Sequence, residues 1–304
     1  MDHTECLEDI IDQGEIVAAA GTDQNSADAW SGVGPSYAQS FAHLCAGAIA
    51  PLLEATVGIL GPLSGRRLAD VGCGNGNLAA VAIELGADVT GVDPDAGMLS
   101  MARVAAPQAD LLPGGLPDLP LPSSDFDAVL ANFVVNHVGD PRAAVAELIR
   151  ICRPQGAVGV TIWPSELSAI NTLWADVVNA SGVTAASHER LPVEKDFDRT
   201  EPGLRELLLQ AGLETVQTRT LSWDFMIDAE DLWAGPVGGV GGIGKIVRSQ
   251  APSLQAAMHL EYLRLVSPIT TNGKVVLPAV ALLGVGQVPH KKELLVDDLA
   301  VAVG

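Results

Sequence analysis

Asp70, the glycines at alternating positions 72, 74 and 76, and Asp93 are the residues of this chain whose types and spacing could do chemistry. The run LADVGCGNGNL, from Leu68 to Leu78, reads as an apolar strand, an acid, a glycine-rich turn and the start of a helix. Glycine lets the backbone bend sharply and approach a ligand closely. The helix that follows presents unbonded N–H groups at its first turn. Asp93 ends the next apolar run, ADVTGVD, 23 residues after Asp70, where a carboxylate suits the hydroxyls of a ribose. This spacing predicts a site for an adenosine-containing cofactor.

The details of the turn separate the candidate cofactors. A dinucleotide pattern, G-x-G-x-x-G, would put its third glycine at position 77, which is Asn77. Asp70 also places a negative charge where a pyrophosphate would be repelled. A carboxylate there suits a cation. S-adenosylmethionine carries a sulfonium and an ammonium and no phosphate, so it fits better than a nicotinamide dinucleotide. A nicotinamide oxidoreductase is the competing reading, and Asp70 and Asn77 both count against it.

Four segments in order carry a resemblance. ADVGCGNG resembles motif I of the class I S-adenosylmethionine-dependent methyltransferases. GVDPDAGMLSMAR resembles their second motif, LPLPSSDFDAVLANFVVNHVGDP their stretch around strand four, and IRICRPQGAVGVTIW their helix leading into strand five. The continuous likeness covers residues 66–163, and the overall look is similar to bacterial enzymes that methylate secondary metabolites. The resemblance implies cofactor contacts from Asp70, Gly72, Cys73, Gly74 and Gly76, a ribose acid at Asp93 followed by Pro94, and adenine packing by Met98. It also implies contacts from Gly115, Leu116, Asn132 and Phe133. The chain departs from the family where an acid often meets the adenine amine. Gly115 stands there, which leaves backbone groups near Leu116 to read the base, and Asp110 lies earlier in the strand.

Alternating strands and helices must position these groups. The pattern predicts a Rossmann-like α/β fold, with a mostly parallel sheet, an antiparallel last strand and helices on both faces. Ligands of such sheets bind at the carboxyl ends of the strands, where every motif residue falls. Residues 1–33 read as a mobile arm and 34–163 as the cofactor core. Within it Ser36–Ile59 has helical spacing that Pro51 would kink or divide. Residues 201–225 and 274–304 complete the core and the tail, while 164–200 and 226–273 exceed ordinary connections and read as helical cap insertions. The glycine-rich stretch at 236–245 reads as a flexible loop within the cap.

Transfer of a methyl group from a sulfonium asks the protein to position a nucleophile, exclude water and take up a proton. His137, just after strand four, is the candidate base, because histidine titrates near neutral pH. Tyr37, in GPSYAQSF, resembles the aromatic before the first helix of related small-molecule methyltransferases, which implies that it could close over the cofactor with its ring attracting the sulfonium, and Trp30 is a second candidate for that role. Asn136, Trp163, Trp174 and Trp233 are the candidate acceptor contacts. His43, His188 and His290 read as structural or exposed, and Cys45 and Cys152 as small core residues.

At 304 residues, with 48% apolar residues and 18% charged, the chain can bury one substantial core. Its 17 basic and 37 acidic residues leave a net charge of −20, which repels nucleic acid and anionic membranes. No C-x-x-C pair or histidine cluster suggests a metal. The acidic start lacks the apolar core of a signal peptide, and the apolar stretch at 42–60 is interrupted by His43, Pro51 and Glu54. A cytoplasmic enzyme with a small, flat acceptor is expected, and a homodimer is compatible. The alternative on the same fold is a cyclase that binds the cofactor without transferring methyl.

Overall fold

The computed structural model describes residues 30–166, 168–183, 191–192 and 195–290. The greater part of the expected arm, the tail beyond residue 290 and His188 lie outside the described residues.

Five strands run parallel: β1 (Arg67–Val71), β2 (Asp88–Asp93), β3 (Asp110–Pro113), β4 (Phe126–Asn132) and β5 (Cys152–Ile162). Two long strands, β6 (Glu214–Ile227) and β8 (Lys274–Gln287), close the sheet, and the two-residue β7 (Thr270–Thr271) pairs with β8. The order is β3-β2-β1-β4-β5-β8-β6, with β8 antiparallel to both neighbours. Strand β1 is buried over Leu68–Val71 because helices cover both faces, which is why Leu68, Ala69 and Val71 are apolar without alternation and Asp70 is buried among them. It pairs Asp70 with Gly91 of β2 on one side and with Leu130 of β4 on the other. The strand order reverses here, so a crevice opens at the carboxyl ends of β1 and β4.

The amino-terminal segment is not one helix kinked at Pro51. It forms α1 (Gly34–Gln39), α2 (Phe41–Ala46) and α3 (Ile49–Leu60). The chain breaks at Ser40 and again at Gly47, where a β-carbon would sit 2.3 Å from the Trp223 indole nitrogen. Pro51 falls in the first turn of α3, where its missing N–H breaks no intrahelical bond. The stretch Phe41–Leu60 has the length and mean hydropathy (1.6) of a membrane span. The break leaves helices of six and 12 residues, each shorter than the ~20 needed to cross a bilayer.

Helices α4 (Asn77–Glu84), α5 (Ala96–Ala105), α6 (Pro141–Ile151) and α8 (Glu201–Gln210) complete the sandwich around the sheet. The long insertions supply α7 (Ala169–Ala180), α9 (Ala229–Gly238), α10 (Gly241–Arg248) and α11 (Pro252–Val266). Residues 236–245 are therefore helical for most of their length rather than a flexible loop. Their glycines serve close packing. Gly239 ends α9 in the left-handed conformation at φ +90°, and a β-carbon on Gly244 would meet the Gly239 backbone at 2.2 Å. Gly235 and Gly238 present a flat face of α9 to Ser40, Phe41 and Ser36.

Candidate active site

The glycine turn follows β1 with all three glycines at positive φ: +68° at Gly72, +53° at Gly74 and +86° at Gly76. A residue with a β-carbon is disfavoured in this region by roughly 1–2 kcal/mol. The backbone N–H groups of Gly72 and Cys73 both donate to the Val92 carbonyl, at 2.7 and 3.0 Å, which ties the turn to the end of β2. Gly74 N–H donates to Asp93 Oδ2 at 2.9 Å, and Asp95 N–H donates to Oδ1 at 2.9 Å. A β-carbon on Gly76 would lie 2.9 Å from the Ala102 backbone, so this glycine admits α5 against the turn. The packing role that a dinucleotide site gives to a glycine at position 77 is taken here one residue earlier.

Two carboxylates meet under the turn. Asp70 is 1% exposed and its Oδ2 has no hydrogen-bond partner. Burial, reinforced by the charge of Asp93, pushes its carboxyl up to about 7, a rise partly offset by the Ala79 backbone. Asp93 is also raised, chiefly by burial, against which its two backbone N–H donors act. A buried carboxylate without a counter-ion is costly. This pair is therefore poised for a cationic ligand.

A cavity of about 320 Å³ opens beside them. It brings together Tyr37, Gly72, Gly74, Asp93, Pro94, Met98, Gly115, Leu116, Asn132, Phe133, His137 and Trp163 of the residues singled out from the sequence. Asp70 and Cys73 line a recess of about 30 Å³ next to it, which shares Tyr37, Gly72, Gly74 and Asn132 with the cavity. The phenol of Tyr37 is pushed well above its ordinary value, first by burial and then by the Cys45 thiol and the two carboxylates, so it stays protonated. Cys45 is pushed up to about 12 by burial, against the hydrogen bond from Tyr37.

The wall after β4 is held by a hydroxyl relay. Buried Thr161 Oγ1 donates to Asn132 Oδ1 at 2.6 Å and accepts from Phe133 N–H at 2.9 Å. Asn132 Nδ2 in turn donates to the Cys45 carbonyl of α2 at 3.3 Å. These bonds hold Phe133 at φ +58°, a strained conformation for a bulky residue, and such strain persists only where the surroundings over-determine it. In that conformation its ring stacks on Trp163, centroids 3.9 Å apart and planes at 16°. His137 sits in a 3₁₀ turn, Val135–His137, with the Trp30 ring against it edge-on at 5.3 Å, and Trp30 also meets Tyr37 edge-on at 5.7 Å.

Three expected acceptor contacts lie elsewhere. Asn136 is committed to the backbone of Trp163: its Oδ1 accepts from Trp163 N–H at 3.0 Å and its Nδ2 donates to the Trp163 carbonyl at 3.3 Å. Trp174 is fully buried among the insertion helices, stacked on Tyr262 at 5.4 Å. Trp233 stacks on Tyr262 at 5.1 Å and on His259 at 5.0 Å. Their rings build the apolar interior between α7, α9 and α11 and do not line the cavity. Asp110 is exposed at the start of β3, and His43 and His290 are exposed. Cys45, expected in the core, lines the cavity, as do Phe41, Leu44, Val134, Val138 and Val240. Apolar residues at helical spacing look the same whether they face a core or a pocket, so only Trp30 carried a signal.

Comparison with known proteins follows the same geometry. Residues 69–160 match the family described as "Methyltransferase domain". Over 102 residues the chain is 39% identical to an uncharacterized methyltransferase of Mycobacterium tuberculosis, covering 34% of this chain and 41% of that one. The chain thus spans about two fifths of the length of that relative. A longer match, 30% identical over 210 residues, covers 65% of this chain and 78% of a malonyl-[acyl-carrier protein] O-methyltransferase of Serratia marcescens. Among solved structures, a protein of Anabaena variabilis described as a methyltransferase from an antibiotic biosynthesis pathway superposes with a TM-score of 0.52 at 17% identity. That match covers 77% of this chain and 96% of the other. At that identity the likeness shows the fold.

Proposed function

The chain belongs to the class I S-adenosylmethionine-dependent methyltransferases, and we propose that it moves the cofactor's methyl group to a carbon, nitrogen or oxygen nucleophile of a small, flat acceptor. The proposed setting is secondary-metabolite chemistry in the cytoplasm. One observation carries this reading: the buried Asp70 carboxylate, with an unpartnered oxygen and with Asp93 beside it, under a three-glycine turn.

That donor set fits the cofactor. Asp70 and its recess suit the ammonium group, Asp93 suits the ribose hydroxyls, and Met98 and Leu116 offer apolar surface for the adenine. Bound there, S-adenosylmethionine would supply an activated methyl group on a sulfonium whose sulfur can leave as a neutral thioether.

The protein's own residues do the rest. Tyr37, held as a neutral phenol on α1, faces the turn and adds ring electron density near the positive sulfur. The stack of Phe133 and Trp163 gives the acceptor a flat wall and displaces water, which strengthens every charge interaction inside. His137 lines the same cavity and is assigned as the base that takes the acceptor's proton, a role typically contributing roughly 10²–10⁴-fold.

The test is a screen of phenol, indole, amine and polyketide acceptors, reading methylated product and released S-adenosylhomocysteine. Equal amounts of both support transfer. Tight cofactor binding with neither product across the screen would refute it and leave the non-methylating cyclase.

A further inference from the structure

Acceptor charge is decided by what surrounds the cavity. Among the described residues that line it, Asp93 is the one carboxylate and none is lysine or arginine. Asp70 lies buried in the adjoining recess. Much of the rest of the lining is apolar, with Trp30, Leu44, Val138, Trp163 and Val240, and His137 lies among these residues. Val240 is the single lining residue from segment 226–273, and it reaches the cavity because the glycine face of α9 lets that helix sit directly on α1.

The charges do not cancel when the cofactor is counted. S-adenosylmethionine has two positive groups and one carboxylate, so it brings one net positive charge against two protein carboxylates. S-adenosylhomocysteine has lost the sulfonium and brings none. An anionic acceptor would enter an apolar cavity of net negative charge with no lysine or arginine among the described lining residues to pair it, where like charges a few ångströms apart repel strongly.

We infer that the acceptor is uncharged and flat, that carboxylate and phosphate acceptors are rejected, and that Val240 bounds the acceptor space. This rests on the methyltransferase reading of the same cavity. It also sets this chain apart from its Serratia relative, named for a malonyl group, whose free end is a carboxylate.

The experiment is calorimetry on the full chain, first with S-adenosylhomocysteine alone. With that ligand saturating, 2-naphthol and then 2-naphthoate are titrated at pH 7.5. The expected result is 2-naphthol binding at least about tenfold more tightly than 2-naphthoate. Val240→Lys, which puts a cation at the wall, should improve 2-naphthoate binding by about tenfold or more. Val138→Lys makes the same test if the first variant does not fold. Equal binding of the two rings, binding of neither, or a lysine that leaves 2-naphthoate unchanged overturns the inference. Failure of S-adenosylhomocysteine to bind a folded protein shows instead, in the first titration, that the cofactor reading has failed, and the inference falls with it.

Discussion

Replacing Asp70 by asparagine should make the ligand-free protein more stable at alkaline pH while weakening its grip on the cofactor. The side chain is 1% exposed and its carboxyl stands at about 7 against 3.8 in a solvated chain. A group whose folded pKa is raised destabilises the fold as pH rises from the unfolded value through the folded one, and the loss is complete above the latter. At 1.36 kcal/mol per unit, the ionised Asp70 costs the fold about 4 kcal/mol above pH 7 and about 2 kcal/mol at pH 5. Asparagine is nearly isosteric and does not ionise. Its amide would lack a partner at the position of Oδ2, which returns roughly 1–3 kcal/mol at every pH. The quantity to measure is therefore the change with pH. Urea unfolding of both proteins at pH 5 and pH 8 should show the difference, variant minus wild type, move in the variant's favour by about 2–3 kcal/mol. Binding of S-adenosylhomocysteine to the variant at pH 8 should weaken by about ten- to a hundredfold, the worth of a charge-assisted hydrogen bond. A difference that stays constant with pH would show that Asp70 titrates normally, and the electrostatic argument for a cationic ligand would fail.

The remaining predictions follow from the same geometry. Asp93→Ala removes the acceptor of the Gly74 and Asp95 N–H groups and the proposed ribose contact, so calorimetry should find cofactor affinity reduced by more than about a hundredfold. Gly76→Ala puts a β-carbon 2.9 Å from the Ala102 backbone at φ +86° and should cost about 2–4 kcal/mol by urea unfolding. His137→Gln should lower turnover of an identified acceptor by roughly 10²–10⁴-fold with S-adenosylhomocysteine affinity unchanged. Thr161→Val keeps volume but removes the relay that holds Phe133 and Asn132. It should cost about 1–3 kcal/mol and alter the near-ultraviolet dichroism of the Phe133–Trp163 stack.

Much of the site is legible in the order of residues. Gly72, Gly74, Asp93, Met98 and His137 announce themselves because turns, strand ends and titratable groups need particular residue types at short spacings. For several of the differences between sequence and structure, the cause is a partner far along the chain. Asn136 has the place of a pocket donor after strand four, but its amide bonds the Trp163 peptide 27 residues away. Trp174 and Trp233 stand out as acceptor contacts because aromatics are scarce, and they are instead packed on Tyr262. Pro51 is the visible helix breaker, yet the break falls at Gly47, because the Trp223 ring that demands a glycine lies in a distant strand.

Local chemistry thus follows from the sequence: the glycine turn, the acids Asp70 and Asp93 near the ends of β1 and β2, and the alternation that makes the sheet parallel. These depend on interactions within a few residues, whose rules are general. Which apolar side chains line the cavity rather than the core depended on the tertiary structure alone. Val240 in the cavity wall with residues of the amino-terminal helices, and Phe133 strained onto Trp163 by Thr161, are contacts between segments distant in sequence. Their partners are chosen by how helices and sheet close upon one another, and burial gives the same apolar signature to a wall and to a core.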